Sequence, residues 1–340
     1  MKKSLIVLAV LGAIASAASA QTSTTIYGIV DAGIVNERGG PAGNVTKLTS
    51  GVQNGSRLGF KGNEDLGGGL SAKFVMEAGF NVDSGTSGQG GVLFGRQAYV
   101  GLGSHWGNLL FGRQYTPLHT ALDQVDPFGT GLAGNIENLF PGGPAGGPAG
   151  SPSGIRMNNS IKYTSPDWSG FNGELAYGFG EVPGNNKANR QWGAAIGYAN
   201  GPAVIKLVHQ RAEDPTGTDN QRNSMIGGKW DFGVAAIHAA FQKDRGFGAG
   251  NNREYMIGAS APIGPGKVLA SYIRRDDRSA LNRDARQWAL GYTHAISKRT
   301  NLYTSYARIT NDNGAAFTVG NATEAGTGDK AFNIGIRHLF

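Results

Sequence analysis

Along most of the chain, apolar and polar residues alternate in short runs that end at glycine, proline, asparagine or aspartate. Residues 56–62 (SRLGFKG) are a clear example, because Leu58 and Phe60 share one face while Arg57 and Lys61 share the other. A period of two residues is typical of β-strands with one apolar and one polar face. The pattern therefore predicts an all-β protein.

About sixteen such runs follow one another, and the connections between them alternate in length. Short turns rich in glycine, proline, asparagine and aspartate follow every second strand, and longer polar loops follow the others. Outer-membrane barrels have this asymmetry, with short periplasmic turns and long external loops. We predict a transmembrane antiparallel β-barrel of about 16 strands, wide enough for a water-filled channel. The predicted strands are residues 25–37, 56–62, 74–80, 94–102, 108–114, 159–164, 171–180, 191–199, 203–210, 224–230, 234–243, 254–261, 267–275, 286–295, 301–309 and 330–340.

A soluble β-sandwich or propeller is the alternative to a membrane barrel. Its sequential strands would bury a shared core, and its long loops would not fall so consistently on one side. Aromatic residues near the strand ends also favour the membrane, because rings with one polar edge suit the lipid–water interface. These residues are Trp168, Phe171, Trp192, Tyr198, Trp230, Tyr255, Trp288 and Tyr292.

One stretch of about forty residues, 115–155, interrupts the alternation and has no sustained strand or helix period. It ends in a Pro/Gly run at residues 141–154, which cannot be a membrane strand. A structureless segment of this length in a compact domain is usually functional. We predict that it folds into the barrel as a constriction loop.

The amino terminus has the three parts of a secretory signal peptide. Lys2 and Lys3 precede an apolar stretch at residues 5–15, and residues 18–20 (ASA) resemble a cleavage site. We expect residues 1–20 to be removed, leaving one barrel domain at residues 21–340. A transmembrane anchor is the alternative, but the apolar stretch is shorter than the roughly 18 residues of a membrane helix.

The amino-acid composition excludes several kinds of functional site. The chain has no cysteine, so it has no disulfide and no thiolate ligand or nucleophile. Without the predicted signal peptide, 31 − 2 = 29 basic residues face 24 acidic ones, a balance of +5. This modest charge is spread along the chain and does not point to nucleic acid. We expect no metal and no cofactor.

Three motifs in order resemble the general trimeric porins of Gram-negative bacteria, particularly the β-proteobacterial branch. The motifs are SRLGFKGNEDLGGGLSAKF at 56–74, GRQAYVGL at 95–102 with FGRQYTP at 111–117, and the ending NIGIRHLF at 333–340. The resemblance covers essentially the whole chain after the predicted signal peptide. The Pro/Gly run at 141–154 departs from the family pattern.

The resemblance implies an outer-membrane porin for passive diffusion of small hydrophilic solutes and ions. It also implies a homotrimer, with the early strands and the loop at 81–93 near the contacts, surrounded by outer-membrane lipid and lipopolysaccharide. In such a channel, bases on one wall face acids on the constriction loop, and the field between them selects ions by charge. The implied basic wall is Arg57, Lys61, Arg96, Arg113 and Arg156, and the implied loop acids are Asp123, Asp126 and Glu137. Because these bases outnumber the acids, we expect a mild anion preference.

The last strand has a second possible role. Phe332, Ile334, Ile336, His338 and Phe340 alternate with polar or small residues, so they fall on one face. Such a strand resembles the signal that the barrel-assembly machinery reads. It could also serve only to close the barrel against residues 25–37, and the two roles are compatible.

Other classes of function find less support. An outer-membrane enzyme is the first rival, but the six histidines include no HExxH pair, and no serine lies in a GxSxG motif. His119 near Asp123 is the one acid–base pairing of interest, and loop packing explains it more simply. A substrate-specific channel or a barrel adhesin is harder to exclude. Tyr115, Phe128 and Phe140 are too few to form the aromatic path of a sugar-specific channel.

Overall fold

The computed structural model describes residues 23–141, 154–247 and 250–340. The predicted signal peptide lies outside the described residues, as does most of the Pro/Gly run at 141–154. Within the described part, each strand position of the wall pairs antiparallel with the next, and the last strand pairs with the first. The chain is therefore a closed antiparallel β-barrel, as the alternation predicts.

Within these described ranges, the barrel is built from 17 strand segments and one α-helix. The strands are β1 (Ser23–Arg38), β2 (Val45–Ser50), β3 (Arg57–Gly67), β4 (Leu70–Gly79), β5 (Gln97–Ser104), β6 (Gly107–Tyr115), β7 (Arg156–Thr164), β8 (Phe171–Gly178), β9 (Gln191–Asn200), β10 (Ala203–Glu213), β11 (Asn220–Asp231), β12 (Ala236–Arg245), β13 (Asn252–Ile263), β14 (Gly266–Asp277), β15 (Ala285–Ala295), β16 (Thr300–Asn311) and β17 (Lys330–Leu339). The helix is α1 (Pro117–Val125), and short 3₁₀ turns cover Gln89–Gly91 and Ile136–Asn138. No helix among these is long and apolar enough to span a membrane.

The second barrel strand is interrupted, which the alternation does not predict. The first half of β1 pairs with β3, and its second half pairs with β2. Because β2 and β3 occupy one position in the barrel, 17 segments make 17 − 1 = 16 barrel strands. The predicted strand count is thus confirmed, but β2 was missed. The residues between β2 and β3, 51–56, leave the barrel wall; we call them the inner segment.

The barrel closes between β1 and β17. Ile29 lies opposite Leu339, and the pairing continues to Arg38 and Lys330. The terminal residue extends the ladder, because the backbone N–H and carbonyl of Phe340 both bond to Gly28, at 3.1 and 3.0 Å. The chain end is therefore part of the barrel.

Side chains alternate between the two surfaces of the wall. In β12, Ile237 and Phe241 are exposed, whereas His238 and Gln242 are buried inside. Exposed rings form two girdles, as expected for a wall that crosses two lipid–water interfaces. Trp168, Phe171, Trp230 and Phe232 lie near the short turns, and Trp192, Tyr255, Tyr272 and Trp288 lie toward the long loops.

The long insert contains an α-helix that sequence analysis did not predict. Thr116 caps it, since its hydroxyl accepts a hydrogen bond from His119 N, and Pro117 occupies the first turn. The helix ends at Val125, where the chain turns at Asp126-Pro127. Leu118, Leu122 and Val125 are fully buried. Only nine residues long, α1 is too short to be stable alone, so packing against the barrel stabilises it.

Candidate functional site

The insert lies inside the barrel, packed against one side of its inner wall. An apolar face of the insert contacts apolar side chains that point inward from β10 to β16. Full burial of a Leu or Ile side chain contributes roughly 1.5–3 kcal/mol, so this face holds the insert firmly. The insert residues are Leu118, Leu122, Val125, Leu132, Ile136, Leu139 and Phe140, and the wall residues include Val208, Met225, Met256, Ile273 and Ile309.

Inward-pointing polar side chains fix the path of the insert. Ser305 Oγ accepts a hydrogen bond from Ala133 N at 3.0 Å. Arg275 donates to the carbonyl of Leu139 at 2.9 Å, and Gln242 donates to that of Pro141 at 3.1 Å. The described part of the insert is thus bonded to several strands, so it narrows the lumen as a fixed element.

Asp126 organises the middle of the insert instead of facing the channel. Its carboxylate accepts hydrogen bonds from the backbone N–H groups of Phe128, Thr130 and Ile136, at 3.1, 2.9 and 3.1 Å. The residue is 5% exposed, and this burial raises the pKa of Asp126 to about 7 although the three donors favour its charged form. The structure therefore places this predicted acid away from the space that the basic wall faces.

Three of the predicted bases meet on the opposite wall, around the hydroxyl of Tyr115. Arg96 and Arg156 donate to this hydroxyl at 2.5 and 3.1 Å. The guanidinium of Arg156 also lies over the Tyr115 ring, 4.7 Å from its centroid. Arg57 borders the same space. The alternation predicts Arg96 within a strand, but Arg96 directly precedes β5.

A carboxylate lies among these arginines that sequence analysis missed. Glu77 on β4 accepts a hydrogen bond from Arg96 Nε at 2.9 Å, and it lies 3.8 Å from Arg57 Nη1. Tyr27 donates to its other oxygen at 3.0 Å. Glu77 falls on the polar face of a predicted strand, and that position was the available signal. The basic wall thus carries three cations and one anion.

The insert presents its own charges to this wall. Asp123 and Glu137 border the same space as the three arginines. Burial raises the pKa of Asp123, while its electrostatic interaction with His119 and a hydrogen bond from Thr130 oppose this shift. His119 pairs with Glu137, at 2.8 Å, and stacks on Tyr115 with centroids 4.8 Å apart. The acid–base pairing of His119 is thus with Glu137, and it serves loop packing.

The inner segment is a second lining element that sequence analysis did not predict. Asn54 and Gly55 border the constriction beside Arg57 and Arg96. The carboxylate of Asp31 on β1 holds the segment, accepting from the backbone N–H groups of residues 52, 53 and 54 at 3.2, 3.0 and 2.8 Å. Asp31 is fully buried.

The inner segment also joins the insert to the last long loop. The carbonyl of Val52 accepts a hydrogen bond from Leu132 N at 2.8 Å and another from Ala322 N at 3.4 Å. Ala322 also borders the constriction. Three separated stretches of sequence therefore enclose one aperture.

The remaining two predicted bases lie elsewhere. Lys61 points inward but lies nearer the short turns, 5.2 Å from the centroid of the Tyr27 ring. Arg113 lies opposite Ala98, on the same face as the exposed Val100, and donates to the carbonyl of Gly95 at 2.8 Å. Leu109, Phe111 and Arg113 alternate along β6 opposite Leu102, Val100 and Ala98, so Arg113 lies on the outward face of the wall.

Between the constriction and the short turns, the inward surface carries several more lysines. They are Lys61, Lys73, Lys206, Lys229 and Lys267, each on the inward face of its strand by alternation. Lys73 and Lys206 donate to asparagine side chains, at 2.7 and 3.0 Å, so their charge is not cancelled by these contacts. The lumen on this side is predominantly basic.

An aperture with cations on one side and anions on the other, inside a low-dielectric wall, creates a transverse field that acts on passing ions and solutes. Among the described residues, no group of His, Asp and Glu could hold a metal ion. Apolar outer surface, aromatic girdles and a polar, narrowed lumen define an outer-membrane channel.

Comparisons with known proteins agree with an outer-membrane channel. Residues 7–314 match the family model of the Gram-negative porins, and the chain belongs to this family. The chain is 35% identical to outer membrane porin protein 32 of Delftia acidovorans and 33% identical to an outer membrane porin protein of Bordetella pertussis. Each alignment covers the whole of this chain and the whole of the relative. A solved structure titled an anion-selective porin from Comamonas acidovorans superposes with a TM-score of 0.81 at 32% identity, covering 94% of this chain and all of the other.

The protein is therefore an outer-membrane porin, a passive channel in the outer membrane of a Gram-negative bacterium. Its relatives are channels, and no comparison points to an enzyme.

Proposed function

We propose that this porin prefers anions and that Arg57, Arg96 and Arg156 set the preference. The observation that carries the proposal is their convergence on one side of the aperture, with a single carboxylate, Glu77, among them. Across the aperture stand two acids, Asp123 and Glu137. The basic lumen toward the short turns adds positive potential along the same path, which favours anions.

Reversal potentials in a salt gradient across a planar bilayer test this proposal. Changing Arg57, Arg96 and Arg156 to glutamine, singly and together, should shift the reversal potential stepwise toward cations. Arg113→Gln is the matched control, because it removes the same charge from a side chain on the other face of the wall. Cation preference of the unmodified channel, or an equal shift in the control, would overturn the assignment.

The proposed cargo is small hydrophilic solutes and ions in general. Most of the side chains that line the aperture are charged or polar, and the rings among the described lining residues are Tyr115 and His119, which stack on each other. One stacked pair gives no path of aromatic surfaces along which successive sugars could bind. Liposome swelling with sugars of rising size should therefore slow smoothly with size. Saturation with one sugar would instead support a substrate-specific channel.

We further propose a homotrimer that associates through the outer faces of β1 to β5 and the loop at 81–93. Support comes from large exposed apolar side chains on these strands, including Ile26, Ile34, Leu48 and Val100. Mass photometry of the purified protein in detergent should give three times the monomer mass. A monomer that conducts normally would contradict this assembly without affecting the proposed ion preference.

A further inference from the structure

A cavity of about 600 Å³ opens among the long loops, on the outer side of the aperture. It lies between residues 278–284, which join β14 to β15, and residues 312–317, which follow β16. We call it the outer cavity. A space of this size with apolar walls and a few polar groups is typical of a small-molecule site. The apolar side chains that line it are Ala280, Leu281, Ala315, Ala316 and Phe317.

The outer cavity lies on the route to the constriction. Ala316 and Phe317 also line a second cavity of about 490 Å³. This second cavity reaches Arg96, Arg156 and Glu137, which border the aperture. The two cavities and the aperture thus adjoin in sequence, and the Phe317 ring lies between the first two.

Contacts within the protein already hold the Phe317 ring in place. Its backbone N–H donates to Asn311 Oδ1 at 3.1 Å, and its carbonyl accepts from Asn311 Nδ2 at 3.0 Å. The Arg275 guanidinium lies 5.2 Å from the ring centroid, a cation–π contact, and it also donates to Glu254 at 2.8 Å. A ring fixed in this way loses little freedom when a second ring packs against it, so it is suited to bind aromatic solutes.

The accessible charge at the outer cavity is positive. Arg283 lines the cavity and is exposed, and within the described ranges its side chain forms no ion pair. Asp277 also lines the cavity, but it is buried, and its two oxygens accept from the backbone N–H groups of Ser279 and Arg283 at 2.9 and 3.0 Å. Arg275 is paired with Glu254. A solute in the cavity therefore meets one unpaired guanidinium beside an apolar wall.

We propose that the outer cavity binds small aromatic carboxylates before they enter the aperture. The carboxylate pairs with Arg283, and the aromatic ring packs against the apolar wall to which Phe317 and Leu281 belong. A guanidinium binds a carboxylate through two parallel N–H donors, and contact between two rings adds to this binding. The site is separate from the proposed ion preference, because none of the three arginines assigned to that preference lines the outer cavity.

Because the chain has no cysteine, Ala315→Cys introduces a single reactive thiol into the outer cavity. The full-length mature protein in detergent is treated with methyl methanethiosulfonate, an uncharged thiol reagent, at rising concentrations of benzoate. Bound benzoate should cover the thiol, so the rate of modification should fall and then reach a plateau. Ser297→Cys, in a short turn at the other end of the barrel, is the control, and its rate should not depend on benzoate.

Two substitutions in the Ala315→Cys background test the two parts of the site. Phe317→Leu should raise the benzoate concentration for half-protection by roughly three- to tenfold, the contribution of one contact between rings. Arg283→Gln should raise it by roughly two- to fivefold, the contribution of one exposed ion pair. The matched controls are Phe232→Leu, a ring in a short turn, and Arg278→Gln, a cation in the same loop that does not line the cavity. Both controls should leave the value unchanged.

Three results would overturn the proposal: benzoate that protects neither thiol or both equally, half-protection that is unchanged in both Phe317→Leu and Arg283→Gln, or an equal change in their controls. Acetate and benzyl alcohol separate the two contacts, because the first has the charge without the ring and the second has the ring without the charge. Protection by acetate equal to that by benzoate would overturn the role of the ring. Equal protection by benzyl alcohol would overturn the role of Arg283.

Discussion

The hydroxyl of Tyr303 donates a hydrogen bond of 2.6 Å to Asp31 Oδ1, joining β16 to β1 across the intervening strand β17. The same oxygen accepts from the backbone of the inner segment, which borders the constriction. One buried carboxylate thus connects the barrel wall to the lining of the pore.

We expect Asp31→Asn to loosen the inner segment. Asparagine retains one acceptor oxygen, so at least one buried backbone N–H loses its partner, at a cost of about 1–3 kcal/mol. Thermal unfolding should occur at lower temperature, and single-channel current should become noisier, because Asn54 and Gly55 line the aperture.

Tyr303→Phe should have a smaller effect in the same direction, since it removes one of the four hydrogen bonds to the carboxylate. Tyr306→Phe is the control: it removes a hydroxyl from the same strand on the outward face. If both tyrosine variants change the unfolding temperature and the current noise equally, the hydrogen bond between Tyr303 and Asp31 does not stabilise the pore lining.

Glu77→Gln should strengthen the preference for anions. The change removes the one carboxylate among the three arginines, while the amide oxygen can still accept a hydrogen bond from Arg96 or Tyr27. The reversal potential in a salt gradient should shift toward anions. Glu64→Gln, on an exposed side chain near a short turn, removes the same charge from outside the constriction and should leave the potential unchanged.

Asp126 should make the stability of the insert depend on pH. Burial raises its pKa to about 7, above the value of the unfolded chain, so the folded state retains its proton to higher pH. The associated stability is fully present below about pH 4 and is lost as pH rises through 7. Between pH 5 and 8, the free energy of unfolding should fall by roughly 2–3 kcal/mol from this group alone.

Amide hydrogen exchange of residues 128–136, corrected for intrinsic rates, measures this effect. Protection should decrease between pH 5 and 8 in the unmodified protein. In Asp126→Asn it should be lower overall and independent of pH over this range, because the side chain no longer titrates. An unchanged pH dependence in the variant would assign the effect to another group.

Phe340→Ala separates the two roles of the last strand. We propose that Phe332, Ile334, Ile336, His338 and Phe340 form a signal for the barrel-assembly machinery, and their common outward face supports this. The variant should then accumulate several-fold less folded porin in cells, yet refold normally into detergent after purification. A defect in both settings would mean that Phe340 acts only in closing the barrel against Gly28. Phe232→Ala, another exposed ring near the short turns, is the control.

Local sequence determined most of the barrel. A period of two residues specifies which side chains face lipid, so strands such as β12 can be predicted from their residues alone. The alternation of short turns and long loops specifies the strand order and which end of the barrel carries the long loops. Arg57 and Arg96 were identified through motifs that this family shares, and Arg156 by its position where the chain re-enters a strand. Their convergence on Tyr115 was not evident, because it depends on register between strands.

Only the tertiary structure decided the shape of the aperture. α1 has a capping threonine and apolar residues at helical spacing, but nine residues are too few for a stable isolated helix, so it forms because Leu118 and Leu122 pack against inward apolar residues far along the chain. By sequence, the inner segment has the features of an ordinary loop. It lines the aperture because Asp31, itself hydrogen-bonded to Tyr303, binds its backbone. The register of β6 against β5 places Arg113 on the outward face. In each case, contacts between residues distant in sequence outweigh local preference, and such contacts exist only once the barrel has closed.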